Sequence, residues 1–277
     1  MKVSPCAKIN LGLNVVARRS DGYHDLETVF FPVPLCDELS VTLADTKKET
    51  ACELVVDGNT LDCDSDDNLV AKAYRLLAQT HSLPAVEAQL TKHIPSQAGL
   101  GGGSSDAAFM LKVVNALCNL QLTDEELRQR AATLGADCAF FIDAQPAFAE
   151  GIGERLAPLP DLSERLKGLW ILIVKPPVAV STREAFSLIV PARPSVCCRE
   201  AVMQPIEQWA ALLSNDFEKS VFAIHPMLAD MKDWLYRQGA VYAQMSGSGS
   251  ALFGLFKEKP VVAAEDFPDC FFFTAQL

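Results

Sequence analysis

Residues 94–106 read Ile94-Pro-Ser-Gln-Ala-Gly99-Leu-Gly101-Gly102-Gly103-Ser104-Ser105-Asp106, and they run directly into AAFMLKVVNALC. Four of the five residues from 99 to 103 are glycines. Beyond them, apolar residues recur with the spacing of one helix face, so the glycines are predicted to lie directly before a helix N-terminus. Free backbone N–H groups and the positive end of the helix dipole make such a position an anion site. The stretch therefore predicts a phosphate-binding loop.

A flexible turn, in which Ser105 or Asp106 merely caps the helix, is the alternative to a phosphate loop. A cap requires one such residue and does not account for the glycines, each of which costs about 1 kcal/mol against alanine in regular structure.

Two better-known phosphate loops are excluded by spacing. No lysine follows the glycines, as a P-loop requires, and Ser104 stands where a dinucleotide fingerprint has its third glycine.

A second loop of small residues, Met245-Ser-Gly247-Ser-Gly249-Ser250, precedes the apolar run ALFGLF. Taken alone, this pattern is equally typical of a tight loop that enters a strand. Together with the first loop, it gives two small-residue turns that could meet around one ligand.

Strand-like and helix-like segments alternate along the chain without the strict βαβ rhythm of a doubly wound sheet, which favours the α+β class. The pattern predicts strands at 38–43, 53–56 and 169–174. It predicts helices at 68–80, at 123–134 with a Thr123-x-x-Glu126 capping box, and from His225-Pro226 through Tyr236, with an end near Gly239. Periodicity is lost over 149–162. This predicts domains of 1–153 and 154–277.

Composition restricts the partners. The net charge of −11 disfavours nucleic acid and anionic membranes, because these are bound through clustered Lys and Arg. No apolar run is long enough for a membrane span or a signal peptide, which predicts a cytoplasmic protein. Nine cysteines without a C-x-x-C pair predict reduced thiols, with Cys6 and Cys138 as small buried hydrophobic residues.

With these loops identified, the chain resembles the GHMP kinases, a superfamily that includes galactokinase, homoserine kinase and mevalonate kinase. Three signatures match in order: Pro5-Cys-Ala-Lys8-Ile-Asn10-Leu, the loop from Pro95 to Ser105, and Ser246-Gly-Ser-Gly249-Ser250. Within the superfamily it is similar to the branch that serves the non-mevalonate route to isoprenoid precursors. The segments that carry this similarity include 7–15 (AKINLGLNV), 21–24 (DGYH), 134–137 (LGAD), 147–154 (AFAEGIGE) and 215–218 (NDFE).

Departures from the family pattern are modest. Gln97 and Ala98 stand where the family usually carries glycines, and Ala139 stands where a proline often follows the Gly-Ala-Asp motif. None of them removes a catalytic group. The segment after Phe267 matches poorly, and the resemblance predicts nothing for it.

The resemblance implies a two-domain fold and a small-molecule kinase. The N-terminal domain would be a βαβ domain like domain 2 of ribosomal protein S5, and the C-terminal domain a ferredoxin-like α/β plait, with the active site in the cleft between them. ATP with Mg²⁺ would phosphorylate an alcohol that carries a cytidine diphosphate. The partners would be this small molecule alone, without nucleic acid or membrane, and the protein a monomer or homodimer. The Mg²⁺ ligands are not identified.

The resemblance also assigns residues, position by position. Asp137 would accept the hydroxyl proton, and Lys8 would orient Asp137 and offset charge in transfer. The predicted ATP-binding residues are Asn68, Lys92, Pro95, Ser96, Gln97, Ala98, Gly99, Leu100, Gly101, Gly102, Gly103, Ser104 and Ser105. The predicted acceptor-binding residues are Asn10, Tyr23, His24, Thr182 and Phe186.

Each assignment has a structural alternative at the level of the residues. Asp137 could belong to a buried salt bridge or a turn, and Lys8 could be a solvated surface lysine. Tyr23 and His24 could belong to an ordinary turn after Asp21-Gly22. Similarly, Asn68 could be a helix cap and Lys92 a surface charge.

Three functional alternatives also stay open. Another kinase of the superfamily, acting on mevalonate, homoserine or a sugar, would keep the glycine loop and change the acceptor pocket. A nucleotide-binding regulator without catalysis would have no need for both Lys8 and Asp137. An RNA-binding module of kinase-like shape is disfavoured by the acidic balance.

Overall fold

The computed structural model describes residues 1–44, 51–58, 67–262 and 264–277. Its strands are β1 (Lys2–Val3), β2 (Cys6–Arg18), β3 (His24–Cys36), β4 (Glu38–Leu43), β5 (Cys52–Gly58), β6 (Val86–Lys92), β7 (Ala147–Gly151), β8 (Arg155–Pro158), β9 (Trp170–Lys175), β10 (Tyr242–Met245), β11 (Leu252–Phe256) and β12 (Phe271–Gln276). Its α-helices are α1 (Leu69–Ala78), α2 (Gly102–Leu117), α3 (Asp124–Leu134), α4 (Phe140–Asp143), α5 (Asp161–Leu166), α6 (Thr182–Phe186), α7 (Cys198–Ala201), α8 (Trp209–Leu212), α9 (Phe217–Ile224) and α10 (Met227–Arg237). Short 3₁₀ turns occupy Ile206–Gln208 and Ala264–Asp266.

The chain divides into two compact units. The first contains Met1–Ala7, Leu35–Ser96 and Gly101–Ala144, and the second contains Lys8–Pro34, Gln97–Leu100 and Gln145–Leu277. Each unit therefore draws on segments from separate parts of the sequence. The domain division at residue 153 stays a prediction.

The first unit combines a sheet with a group of helices. The sheet has the strand order β1-β4-β6-β5, antiparallel except for the parallel pair of β5 and β6. Along β6, Val86, Ala88 and Leu90 are buried while the intervening Glu87 and Gln89 are exposed, so the strand has one apolar face. Helices α1, α2, α3 and α4 pack against one another, and α2 also contacts β4.

The second unit contains two sheets. One has the order β2-β3-β7-β8, and the other has the antiparallel order β10-β11-β9-β12. Strand β9 lies between β11 and β12, and its residues from Ile171 to Val174 are completely buried. Helices α9 and α10 pack into the same core through Val221, Leu228 and Met231. This arrangement explains why β9 is apolar along its buried length.

Most of the predicted elements are confirmed. The strand predicted at 38–43 is β4, the one at 53–56 lies within β5, and the one at 169–174 is β9. The helix from 123 to 134 is α3, with the capping box of Thr123 and Glu126 formed. The helix after Pro226 is α10. The α+β class is likewise confirmed.

Three features differ from expectation or were not predicted. Helix α2 begins at Gly102, so Gly102 and Gly103 lie in its first turn rather than before it. Residues 149–162, read as a loss of periodicity, contain the end of β7 and the whole of β8, which pair antiparallel. The segment after Phe267 forms β12, whose six residues pair with β9 along its whole length.

The cysteines described in the structure are free thiols, and Cys63 lies outside the described residues. Cys138 is buried, as predicted, whereas Cys6 is only half-buried. Within the described ranges, no helix has both the length and the apolar character needed to cross a lipid bilayer.

Candidate functional site

In the first unit, the glycine loop leads into helix α2 without a side-chain cap. The N-cap residue is Gly101, in the left-handed conformation at φ 73°, and it has no side chain to bond the first-turn amides. Ser105 and Asp106 lie inside the helix and are 0% and 2% exposed. The alternative in which either residue caps the helix is therefore wrong. The geometry keeps backbone N–H groups available at the positive end of the helix.

Gly102 is required by close packing rather than by backbone conformation. A Cβ atom placed on it would lie 3.0 Å from Ile94 Cγ2 and 3.3 Å from Lys92 Nζ. The side chains of Lys92 and Ile94 thus pack tightly on the first turn of α2, and a larger residue at position 102 would require one of them to shift. Lys92, the last residue of β6, thus has its ammonium group next to the first turn of helix α2.

Lys92 is buried and paired with two carboxylates. Its Nζ bonds Asp37 Oδ2 and, at 2.5 Å, Asp106 Oδ2. Asp37 Oδ1 also accepts the backbone N–H groups of His93 and Ile94, at 2.6 and 2.8 Å. The alternative of a surface charge for Lys92 is therefore wrong. Its predicted contact with adenine is untested.

Asp37, Lys92 and Asp106 form one buried cluster, in which the pKa of Asp106 is shifted. Burial raises the pKa of Asp106 to about 7, against the lowering effect of the Lys92 ammonium and with a further raising effect from Asp37. Its Oδ1 and the neighbouring Ser105 Oγ have no hydrogen-bond partner among the described residues.

In the second unit, the two small-residue loops meet. Gly99 adopts φ 73°, and a Cβ atom on it would lie 2.0 Å from Ser246 O. Ser246 Oγ donates to Gly99 O at 2.8 Å, and Ala251 N donates to Ala98 O at 3.1 Å. Residues 97–100 are thus fixed against the loop between β10 and β11, as the sequence suggested. That these two loops enclose a ligand stays a prediction.

Lys8 is buried in strand β2 and bonded to this loop. It is 3% exposed, and its Nζ donates to Asn10 Oδ1 at 2.8 Å and to Gly99 O at 3.0 Å. The alternative of a solvated surface lysine is wrong. Asn10 in turn donates to Thr28 Oγ1 at 2.9 Å. The structure therefore brings together three predicted site residues, Lys8, Asn10 and Gly99.

Several polar residues that support the site have no role in the sequence prediction. Asn215 Nδ2 donates to Met245 O and to Gly247 O, both at 2.8 Å, and so holds the second loop. Thr28 Oγ1 donates to Gly12 O at 2.5 Å. The only sequence signal for Asn215 is its place in 215–218, a segment quoted for the resemblance alone. No signal marks Thr28, a single polar residue beside the apolar run of its strand.

Among the predicted acceptor-binding residues, His24 and Phe186 lie side by side. Their rings stack with centroids 4.7 Å apart, and Phe186 also packs edge-on against Phe217. Tyr23 is 64% exposed and follows a turn at Asp21. The turn that was the alternative for Tyr23 and His24 is present, but it lies before Tyr23. The His24 ring packs against the ring of Phe186.

A cavity of about 400 Å³ lies beside helix α6 in the second unit. It is lined by Thr182, Ser181, Gln97, Gly99 and Ser248 among others. Ser181 and Glu184 form the capping box that starts α6 and fixes Thr182 at its first position. The cavity is thus bounded by hydroxyl groups and by both small-residue loops.

Asp137 lies in the turn that joins α3 to α4 and is half-buried. The preceding Gly135 approaches α2 closely, because a Cβ on it would lie 3.8 Å from Ser104 Oγ and 3.3 Å from Cys138 Sγ. The carboxylate is therefore carried by a turn that packs against the first turn of the glycine helix. Asn68 caps α1, with its side chain accepting from Val70 N at 2.9 Å.

No group of three or more His, Cys, Asp or Glu side chains in the described ranges is arranged to hold a metal ion.

Models of known protein families and several curated proteins match the sequence of this chain. Sequence models of the GHMP kinases N terminal domain and of the GHMP kinases C terminal domain match residues 68–146 and 198–269, together more than half of the chain. A protein of Bacteroides fragilis described as 4-diphosphocytidyl-2-C-methyl-D-erythritol kinase is 51% identical over 99% of this chain and 98% of its own. One of Bacteroides thetaiotaomicron with the same description is 52% identical over 95% and 94%.

Solved structures lead to the same family. A crystal structure of 4-(cytidine 5'-diphospho)-2C-methyl-D-erythritol kinase superposes with a TM-score of 0.81 and 30% identity, over 100% of this chain and 99% of that one. The chain therefore belongs to the GHMP kinases, within the family of the 4-diphosphocytidyl-2-C-methyl-D-erythritol kinases.

Proposed function

We propose that this kinase transfers the γ-phosphoryl group of ATP to the 2-hydroxyl of 4-(cytidine 5'-diphospho)-2-C-methyl-D-erythritol, giving the 2-phosphate and ADP in the non-mevalonate synthesis of isopentenyl diphosphate. The observation that carries the proposal is the 51% identity, over nearly the whole of both chains, with a protein that bears this kinase name. The geometry of the glycine loop and of the His24–Phe186 pair is consistent with it.

The triphosphate would be bound by main-chain amides rather than by a basic surface. The segment from Pro95 to Ser105 ends in the uncapped first turn of α2, where N–H groups and the helix dipole attract an anion. This mode of binding suits a protein with a net charge of −11. Asn68 and Lys92 would border the adenine.

The acceptor would be recognised through its cytosine. The stacked rings of His24 and Phe186 offer a flat apolar surface beside a ring nitrogen that can hydrogen-bond a base. Tyr23, being largely exposed, is available to pack on a bound pyrimidine. Thr182 lines the cavity beside α6, and Asn10 is bonded to Lys8.

Phosphoryl transfer would require little covalent assistance. The acceptor oxygen attacks the γ-phosphorus, the bond to the β–γ bridging oxygen breaks, and ADP leaves. Asp137 would take the hydroxyl proton, and the Lys8 ammonium would offset developing negative charge. Lys8 lies in a buried strand and Asp137 in a half-buried turn.

Mg²⁺ would enter as part of the Mg-ATP substrate, whose phosphate oxygens supply ligands. We further propose a cytoplasmic monomer or homodimer whose partners are these small molecules and not nucleic acid.

One assay tests the proposal. Purified protein and Mg-ATP are incubated with separate acceptors, and ADP release is followed for each. The expected result is fast turnover with 4-(cytidine 5'-diphospho)-2-C-methyl-D-erythritol and none with mevalonate, homoserine or galactose. Turnover with one of the other acceptors alone would assign the chain to a different reaction of the superfamily, and ATP binding without turnover on any acceptor would favour a regulator.

A further inference from the structure

The buried cluster of Asp37, Lys92 and Asp106 lies directly against helix α2, and the reaction described above assigns no role to its two carboxylates. Lys92 Nζ is 3.3 Å from the position of a Cβ on Gly102. It bonds one carboxylate from the junction of β3 and β4 and one from the first turns of α2. The cluster therefore connects the sheet of the first unit to the helix end that would bind phosphate.

The charges of this cluster do not balance. One ammonium between two ionised carboxylates leaves a net charge of −1 in a region where all three side chains are less than 10% exposed. A negative charge there opposes an incoming triphosphate, because Coulomb interactions are strong where water is excluded. Uptake of one proton by the cluster would remove this opposition.

The hydrogen bonds indicate which carboxylate accepts the proton. Asp37 is fully engaged, since Oδ1 accepts two backbone N–H groups and Oδ2 bonds the ammonium. Asp106 bonds only through Oδ2, and its buried Oδ1 has no partner in the described residues. A buried carboxylate oxygen without a donor is costly when ionised, and protonation there lowers the cost while Oδ2 still accepts from Lys92.

We propose that Asp106 is a positioning residue for ATP: when the triphosphate binds, it takes up a proton from solvent and bonds Lys92 beside Gly102 as a neutral acid. The proposal rests on the proposed ATP site. The acid–base behaviour of the group agrees with it, because burial raises the pKa of Asp106 to about 7. Among the described residues, the charged groups that act on Asp106 are Lys92, which lowers its pKa, and Asp37, which raises it.

Three variants test the proposal. Asp106→Asn imitates the protonated acid in shape and charge. Asp106→Ala removes the bond to Lys92. Asp143→Asn is the matched control, since Asp143 is an exposed aspartate of the same unit that pairs with Arg128 on the surface. Binding of Mg²⁺ with the non-hydrolysable β,γ-imido analogue of ATP is measured by calorimetry from pH 6.5 to pH 8.5, in two buffers of different ionisation enthalpy.

In the wild type and in Asp143→Asn, we expect proton uptake on binding and a dissociation constant that rises by up to about tenfold per pH unit above pH 7. In Asp106→Asn, we expect wild-type affinity at pH 6.5, with the uptake and the rise both removed. Asp106→Ala should bind at least about tenfold more weakly at pH 6.5, because Lys92 loses a buried partner.

Equal proton uptake in the wild type and Asp106→Asn would overturn the proposal, as would weakening in Asp106→Asn as large as in Asp106→Ala. If Asp106→Ala does not fold, the proton count of Asp106→Asn decides alone. Turnover is assayed separately. A wild type that binds the analogue with Asp106-dependent uptake but does not phosphorylate the cytidine acceptor would remove the proposed function and leave this inference standing, whereas absence of nucleotide binding would remove both.

Discussion

At the scale of single residues, Gly99 is constrained in two ways. Its φ of 73° disfavours any L-residue by about 1–2 kcal/mol, and a Cβ atom would lie 2.0 Å from Ser246 O. We predict that Gly99→Ala separates the two small-residue loops and raises the KM for ATP at least about tenfold, because a backbone oxygen cannot move aside as a flexible side chain can. Steady-state kinetics with varied ATP measure the effect.

Gly239 provides the matched control for this prediction. It adopts φ 95° after helix α10, and nothing lies within 4 Å of the position of its Cβ. Gly239→Ala should therefore lose stability through backbone strain alone and keep the wild-type KM for ATP. Equal kinetic effects in the two variants would mean that left-handed strain, rather than contact with Ser246, explains the result.

Lys8 and Asp137 are predicted to act in the chemical step. We expect Lys8→Ala and Asp137→Asn to fold and to lose about 10²–10⁴-fold in kcat, as is usual when a proton acceptor or a charge-stabilising group is removed. Circular dichroism and thermal unfolding check the fold, and single-turnover rates measure the chemistry. Near wild-type turnover in either variant would remove that residue from the mechanism.

The ring pair of His24 and Phe186 is predicted to determine acceptor specificity. Phe186→Ala and His24→Ala should each weaken acceptor binding by about 1–3 kcal/mol, seen as a higher KM for the cytidine-containing acceptor. The KM for ATP should not change. A parallel rise in both KM values would indicate a general disturbance of the second unit, to whose core Phe186 is attached through Phe217.

Single residues show where sequence reasoning succeeds and where it does not. The glycine loop before a helix was predictable, because clustered glycines before an apolar helical pattern are costly in regular structure and typical of phosphate loops. Binding of a phosphate by this loop stays a prediction. The contacts of Lys92 were not predictable, because its partners lie 55 and 14 residues away and only the tertiary fold brings them together. Asn215 holds a loop through two carbonyl oxygens, and backbone contacts of this kind leave no pattern in the sequence.

At the scale of elements, helix α3 depends on its N-terminal capping box. Thr123 Oγ1 accepts from Glu126 N at 3.3 Å, and Glu126 Oε2 accepts from Thr123 N at 2.8 Å. We predict that Thr123→Ala lowers the free energy of unfolding by about 1 kcal/mol and the melting temperature by about 2–4 °C. Differential scanning calorimetry measures both.

Thr133→Ala controls for the loss of a threonine from the same helix. Thr133 is exposed and bonds Arg130 O, within the last turn. Its replacement should change the stability by less than about 0.5 kcal/mol. A loss in Thr133→Ala as large as that in Thr123→Ala would show that helix propensity, and not the capping box, dominates.

Elements with a strong local signal were predicted well, and elements formed by distant pairing were not. The capping box and the apolar run of β9 define their own structure. The sequence pattern predicts that α2 begins after the glycines, because glycine has low intrinsic helix propensity. The helix begins earlier, at Gly102, where tertiary packing against Ile94 and Lys92 overrides that propensity. Strand β12, by contrast, pairs with the distant β9, Phe271 opposite Lys175, and no local pattern after Phe267 predicts this pairing.

At the scale of the whole molecule, burial suppresses thiol reactivity. Burial raises the pKa of Cys6, Cys52 and Cys138 to about 11 each, from an ordinary value of 9.0. Alkylation proceeds through the thiolate, whose fraction at pH 8 is then about 100-fold lower than that of an unperturbed thiol.

We therefore predict that iodoacetamide modifies these three cysteines slowly in the native protein and rapidly in about 6 M guanidinium chloride, where the chain is unfolded, as measured by mass spectrometry of peptides. The exposed thiol of a short cysteine peptide at the same pH is the reference for an unperturbed rate. Native rates equal to that reference would contradict the burial of these side chains.

The sequence alone does not predict which segments of the chain belong to which unit. Lys8–Pro34 and Gln97–Leu100 group with residues beyond 145, while the segments on either side of them group with the first unit. The fold class and the family follow from local patterns and motifs. The grouping of segments depends on long-range contacts, and the division at residue 153 stays a prediction.

The pairing of β12 with β9 has a consequence for synthesis on the ribosome. Phe271 pairs with Lys175, so nearly one hundred residues are translated between the two strands, which takes about 5–20 s. During that interval, the backbone N–H and C=O groups along the edge of β9 that will pair with β12 have no partner strand. An apolar strand with an unpaired edge tends to associate with other chains. Slower initiation or cooler growth should therefore increase the soluble yield, because fewer such half-finished sheets would coexist.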